Sequence, residues 1–287
     1  QIQVTRSEVM TTVVTGQHDQ AEALKTAALS FTADTASAKV ATVDTDKNQV
    51  IANNLDISTV TAQVLDNYNH PLNGITVNWK ATQTDGTSIK SNTSVTDSNG
   101  NATWTLKSAK TGVLTVSADV SGTASKETGQ ITFVADSSSQ SVSLVNPDKT
   151  QATATGADSI TYTATVRDAQ GNAVPDSRVN WSADNPAAKL SSTQTTSGSD
   201  GTSHITVTSV KAGDVVLTAK TSDITPKQAE KVTFIAEKAT AKVFAIASDK
   251  ASALANGSDA ITVEATVTDA NDNPLHDSDV NWAASPA

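Results

Sequence analysis

Apolar and hydroxylated residues alternate along much of this chain. Ile160, Tyr162, Ala164 and Val166 are separated by Thr161, Thr163 and Thr165. A period of two over seven residues predicts a strand with one buried face. Val60, Ala62 and Val64 repeat the pattern, as do Ile261, Val263, Ala265 and Val267. Val179 and Trp181 begin the next inward-facing run, and Trp79 and Trp282 hold the same place. A large aromatic there predicts a core anchor. Further runs pair off in the same way: Ile205 and Val207 with Trp104 and Leu106, Leu217 and Ala219 with Val116 and Ala118, Val232 and Phe234 with Ile131 and Phe133. Ser98-Asn99-Gly100 and Ser199-Asp200-Gly201 read as tight turns, because Asn-Gly and Asp-Gly accept positive φ. About seven or eight short strands per hundred residues, with frequent turns, predict antiparallel sandwiches.

The pattern repeats as a whole. VLDNYNHPLNGITVNW (64–79), VRDAQGNAVPDSRVNW (166–181) and VTDANDNPLHDSDVNW (267–282) align without a gap, and their tryptophans recur at steps of 102 and 101. A fixed period of that size marks an array of whole domains. Leu29 and Phe31 lie one period before Ile131 and Phe133, and Ile2 and Val4 one period before Trp104 and Leu106. The expected organisation is therefore the closing strands of one repeat (1–37), two complete repeats (38–139 and 140–240) and the opening strands of another (241–287). The linkers ADSSSQSV and AEKATAKV are short and lack long Gly/Ser tracts, so a rod with limited bending is expected, spanning roughly 100–130 Å at ~3.3 Å per strand residue. The two end segments look complementary, which predicts head-to-tail strand addition between molecules. The spacing Asp19–Glu22 would suit a helix cap, whereas the repeat predicts loop and strand there.

Composition narrows the reading. The formal net charge is −10, and the only arginines are Arg6, Arg167 and Arg178. No nucleic-acid partner is expected of such a surface. The chain contains no cysteine, which excludes disulfides and thiolate metal sites. No apolar run reaches the ~20 residues that span a bilayer, and Gln1 begins in mid-pattern without a signal peptide. The chain reads as a segment of something longer.

Chemistry is sparse. Asp269, Asn271 and Asn273 stand at alternate positions like the start of a calcium loop, but Pro274 replaces the required glycine and Val280 the closing glutamate. Two readings stay open: an Asx-rich turn, or a calcium site at a junction between repeats. His18, His70, His204 and His276 share no metal-ligand spacing and read as solvated. No nucleophile elbow or phosphate loop is present. No catalytic residue, cofactor or metal is assigned, and the ligand-binding residues are unknown. Trp104 reads as core, with a sugar-stacking platform as its alternative. Tyr68, in the DNYNHP turn, reads as exposed and able to meet a neighbouring repeat or a partner.

The stretches ANGSDAIT (255–262), VTDANDNPL and VNW, with two further copies, resemble the bacterial immunoglobulin-like repeat of the Big-1 type. Asn54 departs from the pattern, where the other copies have glycine. Such repeats build the stalks of intimin/invasin-type inverse autotransporter adhesins. The resemblance implies an all-β chain of tandem immunoglobulin-like antiparallel β-sandwiches. It further implies a bacterial cell-surface location, with the membrane reached only through an N-terminal barrel that this chain lacks. The expected role is a non-enzymatic stalk holding out a region that binds a host cell-surface or matrix protein or glycan. The alternatives are that the repeats bind a host protein or glycan themselves, or serve as an accessory module of a carbohydrate-active enzyme.

Overall fold

The alternating stretches are strands, and their apolar side is the buried one. In a computed structural model of the chain, Ile160, Tyr162, Ala164 and Val166 of the strand Ile160–Arg167 are fully buried while the intervening threonines are half-exposed. The structure describes residues 1–82, 87–89, 92–221 and 225–285. It falls into two bodies, Gln1–Asp136 and Ser137–Ala287.

The second body contains a sandwich. One sheet runs Ser141–Pro147, Ile160–Arg167, Thr202–Ser209, Ala188–Leu190, and the other Gln194–Thr196, Arg178–Ala183, Leu217–Lys220, Lys227–Gln228. Val179, Trp181, Leu217 and Ala219 from one sheet and Tyr162, Ala164, Ile205 and Val207 from the other are all buried. A third, smaller sheet pairs Gln151–Thr153 in parallel with Val232–Ile235, which also pairs antiparallel with Gly213–Val215. The first body repeats this topology with the same strand order between Lys39 and Val134. Even the β-bulge recurs, between Val40 and Thr42, Val142 and Leu144, and Val243 and Ala245.

Two details tie the sequence to this packing. The indole N–H of Trp181 donates to Thr195 Oγ1 at 2.7 Å, and that of Trp79 to Ser94 Oγ at 2.8 Å, so each buried ring keeps its polar edge satisfied. Trp104 is buried and stacks on Trp79 with centroids 5.6 Å apart. Its cross-strand partner is the small Val60, whereas in the next repeat Ile205 lies opposite Tyr162. The large ring has changed strands while the pair keeps its place in the core.

Gly201 has φ 77°, and a Cβ there would stand 2.6 Å from the Val166 carbonyl oxygen. Its own carbonyl accepts the Val166 N–H at 2.8 Å. Gly100 repeats the arrangement against Val64. Only glycine combines that dihedral with so close an approach.

The end segments form hairpins in the repeat's register. Met10–Thr12 pairs with Leu29–Phe31, and Gly112–Leu114 with Ile131–Val134, at equivalent residues. Lys242–Ser248 pairs with Val263–Thr268. Asp19 lies in a turn at φ 44°, where the Ala21 N–H donates to the His18 carbonyl, so the acidic spacing there caps no helix. Trp282 is 55% exposed, unlike Trp79 and Trp181. The strand that lies beside Trp181, Leu217–Lys220, has no counterpart in the sequence after Trp282. Ile2 and Val4 likewise lie outside any strand. The linkers hold short 3-10 turns, at Thr35–Ser37, Ser137–Ser139 and Lys238–Thr240, and do not run extended.

Candidate functional site: the Asp–Asn turn at a repeat junction

The strand Val263–Thr268 ends at Asp269, whose carboxylate organises the following turn. Its Oδ1 accepts the N–H groups of Asn271 at 2.8 Å and Asn273 at 2.9 Å. Its Oδ2 accepts the Asn273 side-chain amide at 2.8 Å and the Glu237 N–H at 3.1 Å. The turn closes as Asp269 N–H donates to the Asn273 carbonyl at 2.9 Å, with Asp272 at φ 61°. Asp269 is fully buried. Burial alone would raise its pKa, but the hydrogen bonds from Asn273, Glu237 and Asn271 outweigh it and hold the carboxyl below its ordinary range.

From this base the two asparagines reach out of their own repeat into the preceding one. Asn273 Oδ1 accepts the Ala212 N–H at 2.8 Å, and its Nδ2 donates to the Val210 carbonyl at 3.0 Å. The side-chain amide thus pairs with the backbone as a strand residue would. Asn271 Nδ2 donates to the Ala154 carbonyl at 2.9 Å, and Lys211 Nζ donates back to the Asn271 carbonyl at 2.7 Å. Both receiving loops are held from within. Ser209 Oγ accepts the Lys211 N–H and donates to the Lys211 carbonyl. Asp158 pairs with Lys149 at 2.5 Å and accepts the Thr153 N–H, next to Ala154. The hydrogen bond from Lys149 is the main reason the Asp158 pKa is lowered. The Lys–Asp pair recurs as Lys47 with Asp56 and Lys250 with Asp259.

The three residues with calcium-loop spacing are therefore brought together, but as a hydrogen-bonded clamp. The oxygens of Asp269 and the Oδ1 of Asn273 face N–H donors, whose positive ends occupy the directions a cation would need. Among the described residues no group of three or more His, Asp or Glu side chains is placed to hold a metal ion.

The turn is built alike elsewhere. Asp168 Oδ1 accepts the N–H groups of Gln170 and Asn172, and its Oδ2 accepts the Asn172 amide at 2.9 Å. Asp66 Oδ1 accepts the N–H groups of Tyr68 and His70, while its Oδ2 takes the Asp34 N–H at 3.1 Å and lies 2.9 Å from His70 Nδ1. Burial again opposes the ionised form of Asp66, and these bonds overcome it. Sequence reasoning treated His70 as solvated. It is half-buried and paired with Asp66, and the signal was its place four residues after an aspartate where the other repeats have asparagine. The other histidines differ: His18 and His276 are exposed, and His204 lies 2.9 Å from Thr163 Oγ1. Tyr68 is 63% exposed.

A model of the bacterial Ig-like domain (group 1) matches residues 40–134, 142–235 and 243–287. The chain is 36% identical over 264 residues to the inverse autotransporter adhesin YeeJ of Escherichia coli K12, covering 91% of this chain and 11% of that protein. It is 34% identical over 197 residues to intimin of Escherichia coli O157:H7, covering 67% of this chain and 20% of intimin. Thus it spans about a tenth of the one relative and a fifth of the other. Among solved structures, the Escherichia coli adhesin FdeC superposes with a TM-score of 0.58 at 21% identity, over 86% of this chain and 79% of that one. InvD of Yersinia pseudotuberculosis gives 0.55 at 20%, over 84% and 73%. These two share the fold. With three consecutive matches, a recurring sandwich topology and sequence relatives among the intimin and inverse-autotransporter adhesins, the chain belongs to the bacterial Ig-like domain (group 1) family.

Proposed function

We propose that this chain is a length of extracellular stalk in a bacterial surface adhesin of the intimin/invasin type. Its repeats run from 38 to 139 and from 140 to 240, flanked by parts of two others at 1–37 and 241–287. Their task is to carry a binding region, located elsewhere in the parent protein, away from the outer membrane toward a host protein or glycan. The observation that carries this reading is the clamp of Asp269, Asn271 and Asn273 on Val210, Ala212 and Ala154. Buried polar groups spent on seating one repeat against the next are what a spacer of defined geometry requires. Chemistry on a substrate would instead need a concave site with unpaired reactive groups. The sequence relatives, one of them named as an inverse autotransporter adhesin and the other intimin, support the same reading, and no catalytic step is assigned.

A spacer swap tests this. In the parent adhesin displayed on cells, residues 38–240 would be replaced by two unrelated β-sandwich repeats joined by an equally short linker. Adhesion to host cells should persist with the substitute and fall when the segment is simply deleted. Loss of adhesion with the substitute would mean that these repeats contact the host themselves.

A further inference from the structure

We propose that the joint built on Asp66 and His70 is a proton-sensitive version of the Asp269–Asn273 clamp, drawn tighter when the imidazole carries a proton. This rests on the reading of the turn as a joint between repeats.

The two turns correspond residue for residue, Asp66 with Asp269, Asp34 with Glu237, and His70 with Asn273. Asp66 receives the Asp34 N–H as Asp269 receives that of Glu237. His70 Nδ1 takes the position on the carboxylate that the Asn273 amide nitrogen takes. Beyond the carboxylate the two joints part. Asn273 offers one donor and one acceptor to the backbone of Val210 and Ala212, and neither changes with pH. An imidazole cannot fill both of those roles at fixed geometry. Where Val210 and Ala212 meet Asn273, a cavity of about 150 Å³ separates His70 from the Arg6–Glu8 stretch.

The charge facing that position has also changed. Glu8 stands one period pair before Lys211, the residue that reaches across the Asn273 joint. Glu8, Asp34 and Asp66 line the cavity with His70, together with one basic residue, Arg6. Tyr68 is beside the imidazole, its ring centroid 6.4 Å away. Lys39 donates to Asn67 in the same turn. A histidine changes charge between pH 5 and 8. A protonated ring donates from both nitrogens, one toward Asp66 and one into the cavity.

The absence of cysteine in the chain permits clean spin labelling. Label pairs would be placed at Lys25→Cys with Lys126→Cys across the first joint, and at Lys189→Cys with Ala251→Cys across the second. Pulsed dipolar spectroscopy at pH 5 and pH 8 then reads the spread of distances. The first joint should be narrower at pH 5 than at pH 8, the narrowing should vanish in His70→Asn, and it should shrink in Glu8→Gln. Equal widths at the two pH values in the native joint, or a narrowing that survives His70→Asn, would overturn the proposal. The second joint separates the two ideas. It should be independent of pH and should broaden at both pH values in Asn273→Ala. Failure to broaden there would remove the joint reading itself.

Discussion

At the scale of single residues, the burial of polar atoms decides which side chains matter. Asn273 is 2% exposed and bonds to Asp269, Val210 and Ala212. Asn273→Ala takes a donor from the buried Asp269 carboxylate and frees the part-buried backbone of Val210 and Ala212, where a buried polar group left unsatisfied costs about 1–3 kcal/mol. Hydrogen exchange should show the Ala212 amide protected in the native chain and rapidly exchanging in the variant. Tyr162 presents the reverse case. Its ring is fully buried, but its hydroxyl has no partner among the described residues. Tyr162→Phe should keep or raise the urea midpoint, because an unpaired buried hydroxyl is itself unfavourable. Desolvation, helped by the charges of Asp184 and Asp148, pushes the Tyr162 pKa up to about 12. The unfolded chain ionises this group near pH 10, so the folded state holds the proton longer and stability falls as pH rises from about 10 to about 12. A midpoint series in alkaline buffer, compared with Tyr162→Phe, isolates that slope.

At the scale of elements, the turn that ends at Gly201 fixes where the strand Thr202–Ser209 begins against Ile160–Arg167. Gly201→Ala meets the Val166 carbonyl and a strained dihedral together. The dihedral alone costs about 1–3 kcal/mol. Gly171→Ala has a similar φ of 83° but open space around it. Thermal melts should therefore show the Gly201 variant well below the Gly171 variant. The strands were legible because period-two alternation reports a buried face directly, and the shared register was legible because the tryptophans count it out. The joint was only half legible. Asp269, Asn271 and Asn273 stood out as a constellation, yet their spacing pointed toward a cation as readily as toward a turn. The hydrogen bonds of Asn271 and Asn273 run to the backbone of Val210, Ala212 and Ala154, and main-chain donors and acceptors leave no mark in a sequence. The 3-10 turns escaped notice for a similar reason, since three-residue turns rest on local hydrogen bonds without a hydrophobic period.

At the scale of the whole chain, its many carboxylates act together. Asp56, Asp158, Asp214 and Asp259 are lowered chiefly by hydrogen bonds from lysines, and Asp200 by bonds from Thr202. Burial opposes the ionised forms of Asp66 and Asp269, and bonds from their turns and from the Asp34 and Glu237 N–H groups lower both nonetheless. Each folded-state value lies below the unfolded one, so each contributes stability above the unfolded carboxylate range and loses it as pH falls through the folded value. The urea midpoint should hold between pH 7 and about 5, then fall steeply below about pH 4. A midpoint that is flat to pH 2 would contradict this.

The small parallel sheet has a mechanical meaning. Gln151–Thr153 lies near the start of its repeat and Val232–Ile235 near the end, side by side and pointing the same way. The Ala154 N–H donates to the Ile235 carbonyl at 2.7 Å, and the Thr233 N–H to the Thr150 carbonyl at 2.9 Å, extending the ladder at both ends. A pull on the two ends of this repeat reaches Gln151–Thr153 by way of the first strand, Ser141–Pro147, and leaves from Val232–Ile235. Parallel neighbours dragged in opposite directions are sheared, so their hydrogen bonds must rupture together and cannot peel one at a time. The smallest sheet of the repeat is thereby loaded in shear and resists as a set.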